Sequence, residues 1–162
     1  MNKFLPCLII SFLILFINTS AFAAEKSVEA DAVALIAKAQ EYIKKNGLEK
    51  ATAEFNNLES PFNVKSDINK VGDLYIFSMD SKGFQAIHGK NPRIRGKVNW
   101  EMKDLNGVAL IQELIKVCVS KEGKGWVNYH WPNPVSNNLE PKRGYAEKVP
   151  GVDLCLGTGI YK

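Results

Sequence analysis

The chain has 162 residues, 46% hydrophobic and 23% charged, with 12 glycines and 7 prolines. That composition belongs to one globular domain and excludes a disordered or fibrous chain. Lys and Arg exceed Asp and Glu by 21 to 17, an excess too small and too scattered to build a nucleic-acid surface, so no nucleic-acid partner is expected.

Residues 1–23 read as a leader. Lys3 supplies a charged start, Phe4 to Ile17 an apolar run, and Ala21-Phe22-Ala23 the small-x-small pattern of a cleavable export signal. The mature chain, residues 24–162, is then expected in the periplasm. An uncleaved inner-membrane anchor fits less well, because the apolar run stops at Asn18-Thr19-Ser20, short of the ~20 residues that span a bilayer. Cys7 lies inside that run. Once it leaves with the signal, Cys118 and Cys155 either pair as a disulfide in an oxidising compartment or serve as small core residues.

From Ser27 onward, Ala32, Leu35, Ile36, Ala39 and Ile43 recur at three- and four-residue steps, which predicts a long amphipathic helix ending at Asn46-Gly47. A second short helix is predicted from Leu48 to about Phe55. The period then changes to that of strands: 73–79 and 84–88, joined by a hairpin turn at Asp80-Ser-Lys-Gly83. A polar stretch containing Pro92, Gly96 and Gly107 leads to a helix over 108–120, whose stripe of Ile111, Leu114, Ile115 and Cys118 should lie on the sheet. Three further strands are predicted over 125–131, 142–149 and 152–161. The order gives an α+β domain with one antiparallel sheet.

The inventory for catalysis is thin. His88 and His130 stand far apart in sequence, and no metal-ligand spacing, nucleophile motif or phosphate loop is present, so neither an enzyme nor a metal or cofactor is expected. Gly157-Thr158-Gly159 falls inside the last strand and reads as close packing against another backbone. Asp104 with Asn106-Gly107 resembles half of a calcium loop but lacks the other ligands and reads as a turn. What stands out is an aromatic and basic concentration: Trp126, Tyr129, His130, Trp131, Lys142, Arg143 and Tyr145. A cation among aromatic hydroxyl and indole donors suits a small carboxylate in a dry pocket. The same residues also suit a core and its rim. Strand alternation places Val127, Tyr129 and Trp131 on one face and Trp126, Asn128 and His130 on the other; Lys142 and Tyr145 point oppositely unless a bulge intervenes.

Taken in order, these segments resemble the single Cache domains, PAS-like extracytoplasmic sensor modules. The resemblance rests on Asp73-Leu-Tyr-Ile-Phe, Gly83 with Ala86-Ile-His88 and Asn91-Pro92, Gly96, Asp104-x-Asn-Gly107, Gly125-Trp-Val-x-Tyr129-x-Trp131-x-x-Pro134, Pro141-Lys142-x-x-Tyr145 and Gly157-Thr-Gly-Ile-Tyr161. One departure is Gly89, where the family usually has proline after the histidine. The resemblance implies a long N-terminal helix packed on a central antiparallel sheet of about five strands, with a pocket beneath a covering helix. It implies a short organic acid as ligand, of the acetate, propionate, pyruvate or lactate class. His88, Tyr129, Trp131, Lys142 and Tyr145 would line the pocket, with Lys142 as counter-ion. A free-standing domain of this kind would signal through a membrane sensor or transporter partner, and the long first helix is the natural place for a homodimer contact. The alternative is an accessory protein that uses the fold for protein contacts alone.

Overall fold

The computed structural model describes residues 25–162; the export signal expected over 1–23 lies outside the described residues. Helix α1 (Glu29–Asn46) buries Ala32, Leu35, Ile36 and Ala39, the predicted stripe. Glu29 and Asp31 in its first turn and Lys44 and Lys45 in its last complement the helix dipole. It stops where Gly47 turns to φ +81°, a conformation that costs glycine little, and donates its N–H to Ile43 O at 2.8 Å. Helix α2 (Leu48–Asn56) follows at once and buries Ala51 and Phe55. Phe55 meets Phe62 edge-on with ring centroids 4.8 Å apart.

The main sheet is antiparallel, in the order β1 (Phe77–Met79), β6 (Cys155–Tyr161), β5 (Leu139–Lys148), β4 (Lys124–Pro132). Helix α1 packs on one face against β5 and β6, and α3 (Leu110–Cys118) covers the other against β4 and β5. Two buried clusters result. One joins α1 and α2 to Tyr145, Leu154 and Leu156; the other joins Leu110, Ile111, Leu114 and Ile115 of α3 to Tyr75, Phe77, Tyr129 and Ala146. Cys118 at the end of α3 and Cys155 at the start of β6, 37 residues apart, form a disulfide with Cα atoms 6.1 Å apart.

The 84–88 segment departs from the expected hairpin ladder. Only Phe84–Gln85 forms a strand (β2), and it pairs with Lys97–Val98 (β3) in the stretch read as polar loop, making a separate two-stranded ribbon. The main sheet therefore has four strands, with 86–88 lying along β1 through the single bridge Phe77↔His88. The physical reason is that side-chain oxygens interrupt the ladder. Ser78 N and Gly89 N still donate to Ile87 O and Ile76 O, but Ile87 N donates to Ser78 Oγ at 3.0 Å and Ile76 N to Asn63 Oδ1 at 3.0 Å, while Asn56 satisfies His88 N and Ala86 O on the edge away from β1. Gly89 fits the same device: a Cβ there would stand 2.0 Å from Asn63 Oδ1.

Candidate functional site

The β4–β5 register sets Tyr129 directly opposite Lys142, and pleat alternation sends both toward the α3 face. Their side chains lie low on the sheet because glycines clear the way. A Cβ at Gly144 would be 2.7 Å from the Tyr129 hydroxyl, one at Gly159 2.6 Å from Lys142 Cε, and one at Gly157 2.2 Å from the Phe77 ring. Gly157 and Gly159 thus make room for side chains of the site, besides the close backbone approach expected of them.

Lys142 is 1% exposed, and its Nζ sits over the Tyr75 ring at 4.0 Å, with Tyr161 at 5.0 Å and Phe77 at 5.5 Å. It donates to Tyr75 Oη at 2.8 Å; Tyr75 Oη lies 3.4 Å from the Tyr161 hydroxyl, which donates to Pro132 O at 2.9 Å. Among the described residues Lys142 forms no salt bridge. Asp73, the acid whose field reaches it, is engaged by Ser27, which donates its N–H at 3.0 Å and its hydroxyl at 2.5 Å. Burial consequently holds the Lys142 pKa well below the usual lysine range, and Asp73 offsets this only in part. Burial also raises the Tyr75 and Tyr129 phenols well above their ordinary values, so both remain protonated donors.

His88 stands beside this group, its ring 5.0 Å from Tyr75 and 6.2 Å from Trp131. Its Nδ1 accepts from Lys90 N at 3.3 Å and Asn91 N at 3.0 Å, which places the proton on Nε2. Burial, then the Lys142 and Arg95 charges, lower its pKa to about 3, so the imidazole is neutral at ordinary pH. Arg95 braces the backbone here, donating from Nε at 2.9 Å and Nη2 at 2.7 Å to His88 O.

These side chains wall a cavity of about 10 Å³, close to the room one water needs. Tyr75, Phe77, Gln85, His88, Tyr129 and Trp131 form one side; Met102 and Leu110, Ile111 and Leu114 of α3 form the other. The structure thus brings His88, Tyr129 and Trp131 to the cavity and Lys142 against its Tyr75–Phe77 wall. It does not bring Tyr145. That ring lies on the α1 face, 4.9 Å from Trp126, and its hydroxyl donates to Glu147 at 2.6 Å; no bulge turns β5 between Lys142 and Tyr145. Tyr75, Phe77 and the α3 side chains join the site without being among the residues that the resemblance implies. Their signal was present in the alternation of aromatics at 75 and 77 and in the apolar stripe of the covering helix. His130 and Arg143 also lie apart: His130 N donates to Asp104 Oδ2 at 2.8 Å, while Arg143 pairs with Glu29 and stacks on Trp126. Asp104 Oδ1 accepts from Asn106 N and Val108 N, so this segment is the turn the sequence predicts.

Residues 22–162 match the family model described as Single Cache domain 2. The chain belongs to the single Cache domain family. This Cache domain is 31% identical to a methyl-accepting chemotaxis protein of Vibrio parahaemolyticus whose crystal structure it resembles with a TM-score of 0.52, covering 78% of this chain and 95% of that one. Two further structures share the fold with TM-scores of 0.58. One, 23% identical over 78% of this chain and 83% of its own, is described as a Cache chemosensory domain recognising carboxylic acid. The other is the periplasmic sensor domain of a chemotaxis protein, 24% identical over 82% of this chain and 88% of its own. The sensor histidine kinase MctS of Rhizobium johnstonii is 29% identical over 90 residues, 55% of this chain. The matched stretch spans 19% of the kinase's length. The chain is therefore a Cache domain, similar to a methyl-accepting chemotaxis protein and, over 90 residues, to a sensor histidine kinase.

Proposed function

We propose that this Cache domain works in the periplasm as a binding module for a short organic acid of the acetate, propionate, pyruvate or lactate class. Lys142 carries the reading. A lysine amine buried to 1% exposure, with a tyrosine hydroxyl as its hydrogen-bond partner and no carboxylate in contact, is costly to maintain and suited to an arriving anion. His88 Nε2–H, Tyr129 O–H and the Trp131 indole N–H add neutral donors, and Met102 and Leu114 suit a short alkyl end. The Cache chemosensory domain of the same fold that is described as recognising carboxylic acid supports the same ligand class for this donor set.

The cavity of about 10 Å³ is several-fold too small for such an acid. Binding must displace a wall, and α3 with the β2–β3 ribbon is the wall not built into the main sheet. Its displacement is the change a membrane sensor or transporter partner would read, to the extent that ligand favours the displaced state. A homodimer along α1 would use its outer surface, because Ala32, Leu35, Ile36 and Ala39 are already buried on its own sheet. The test is the thermal midpoint of residues 24–162 with a panel of short carboxylates, amino acids and amines. An acid at a hundred times its dissociation constant should add about 2.7 kcal/mol, hence roughly 5–10 °C. A flat response to every acid overturns the proposal and favours the accessory role.

A further inference from the structure

We propose that the site captures its acid together with one proton, which is taken from solvent and carried by Lys142 Nζ in the occupied site. The inference rests on the carboxylate reading above and concerns how that site recognises its ligand. The step is R–COO⁻ plus H⁺ plus the Lys142 amine giving a carboxylate–ammonium pair, so the bound species is equivalent to the undissociated acid.

The surroundings of Lys142 carry the argument. From β5 it reaches beneath Tyr75 and Phe77 on the β1 side, Tyr161 of β6 and Tyr129 of β4, and none of these offers an anion. Tyr75 Oη, at 2.8 Å, is its hydrogen-bond partner, and that oxygen meets the needs of either an amine or an ammonium. The charged neighbours on the cavity side are cationic or become so: Arg95 lies behind His88, and a protonated His88 would repel an ammonium. Of the acids nearby, Asp73 is held by both the N–H and the hydroxyl of Ser27, and Asp104, which shares a pocket with Lys142, His130 and Lys162, is held by the backbone N–H groups of Asn106, Val108 and His130; neither pairs with the amine. The three aromatic faces attract a cation, yet return a fraction of the hydration that 1% exposure removes. An incoming carboxylate supplies the missing partner, and the pair then holds its proton. His88 is the other candidate carrier. Its Nδ1 is committed to two backbone N–H groups, however, and its Nε2 already bears hydrogen, so it serves as a neutral donor.

The measurement is calorimetric titration of the protein with acetate, propionate, pyruvate and lactate at pH 7.5 in buffers of different ionisation heat. The expected result is uptake of about one proton per acid bound, with apparent affinity weakening up to tenfold per pH unit raised between the empty and occupied Lys142 titrations. Binding whose heat is independent of buffer overturns this proposal and leaves the carboxylate reading standing. No binding of any acid overturns both. Lys142→Arg keeps a fixed charge and should bind without proton uptake; uptake that persists there reassigns the proton to another group and overturns the role of Lys142. Should that variant fail to fold, carbon-13 titration of the lysine Cε signals in the ligand-free wild type decides. One lysine titrating well below the others supports the proposal, and a full set of ordinary lysines refutes it.

Discussion

Replacing Lys142 by Met should raise stability while weakening ligand binding, and the two effects have separate structural causes. Methionine keeps the length of the stem that runs over Gly159 and removes a polar group buried to 1% exposure. Burying such a group without full compensation costs about 1–3 kcal/mol. Against this stands the lost bond to Tyr75 Oη, worth about 1 kcal/mol. The net gain is about 1 kcal/mol, or roughly 2–4 °C for a domain of this size. The pH dependence has a definite sign. Lys142 titrates below its unfolded range, so between the two the unfolded chain holds a proton that the native protein lacks. Wild-type stability therefore rises with pH through that window, and the advantage of Lys142→Met shrinks as it does. Loss of a charge-assisted bond of about 1.5–3 kcal/mol should weaken acid binding roughly 10- to 150-fold. Urea titrations from pH 6 to pH 10 with ligand titrations alongside are the assay. A variant destabilised by more than about 5 °C, or one that binds acid like the wild type, would refute the placement of Lys142 as a buried ligand group.

His88 predicts the same sign in a more acidic window: its folded pKa of about 3 lies below the unfolded value, so stability should fall as pH drops from 6.5 toward 3. Urea midpoints of wild type and His88→Gln should converge over that range, and parallel curves would contradict a neutral buried imidazole. Among the described residues Thr158 Oγ1 is buried without a hydrogen-bond partner, so Thr158→Val should raise the thermal midpoint by a few degrees, about 1 kcal/mol. A lower midpoint would mean that the hydroxyl has a partner in solution. Reducing Cys118–Cys155 opens a loop of 37 residues and should cost about 4 kcal/mol by loop-closure entropy, near 10 °C in midpoint. An unchanged midpoint with and without dithiothreitol would argue that the bond is absent.

Periodicity was sufficient wherever an element buries one face. The stripes of α1 and α3, the stop at Gly47 and the alternation of Tyr129 and Trp131 against Trp126 all follow from spacing, because a helix or strand with one wet side repeats its pattern in the sequence. The opposition of Lys142 and Tyr145 was legible for the same reason. The register of β4 and β5 confirms it, and it takes Tyr145 out of the cavity that the family resemblance had assigned it to.

Tertiary structure decided the rest. The 84–88 segment left a regular ladder because Asn63, distant in sequence, and the Ser78 hydroxyl accept from Ile76 N and Ile87 N, which a ladder would have paired across the strands. Tyr75 and Phe77 became walls of the site, and Gly144, Gly157 and Gly159 the floor beneath it, only once three strands lay side by side. The sequence shows a lysine among aromatics. That its amine is buried, unpaired with Asp73, whose carboxylate Ser27 engages, and set over the rings of Tyr75, Phe77 and Tyr161 depends on long-range packing. Local pattern records which face of an element is apolar; it carries no record of which distant side chain meets a given charge, and that meeting decides the chemistry of the site.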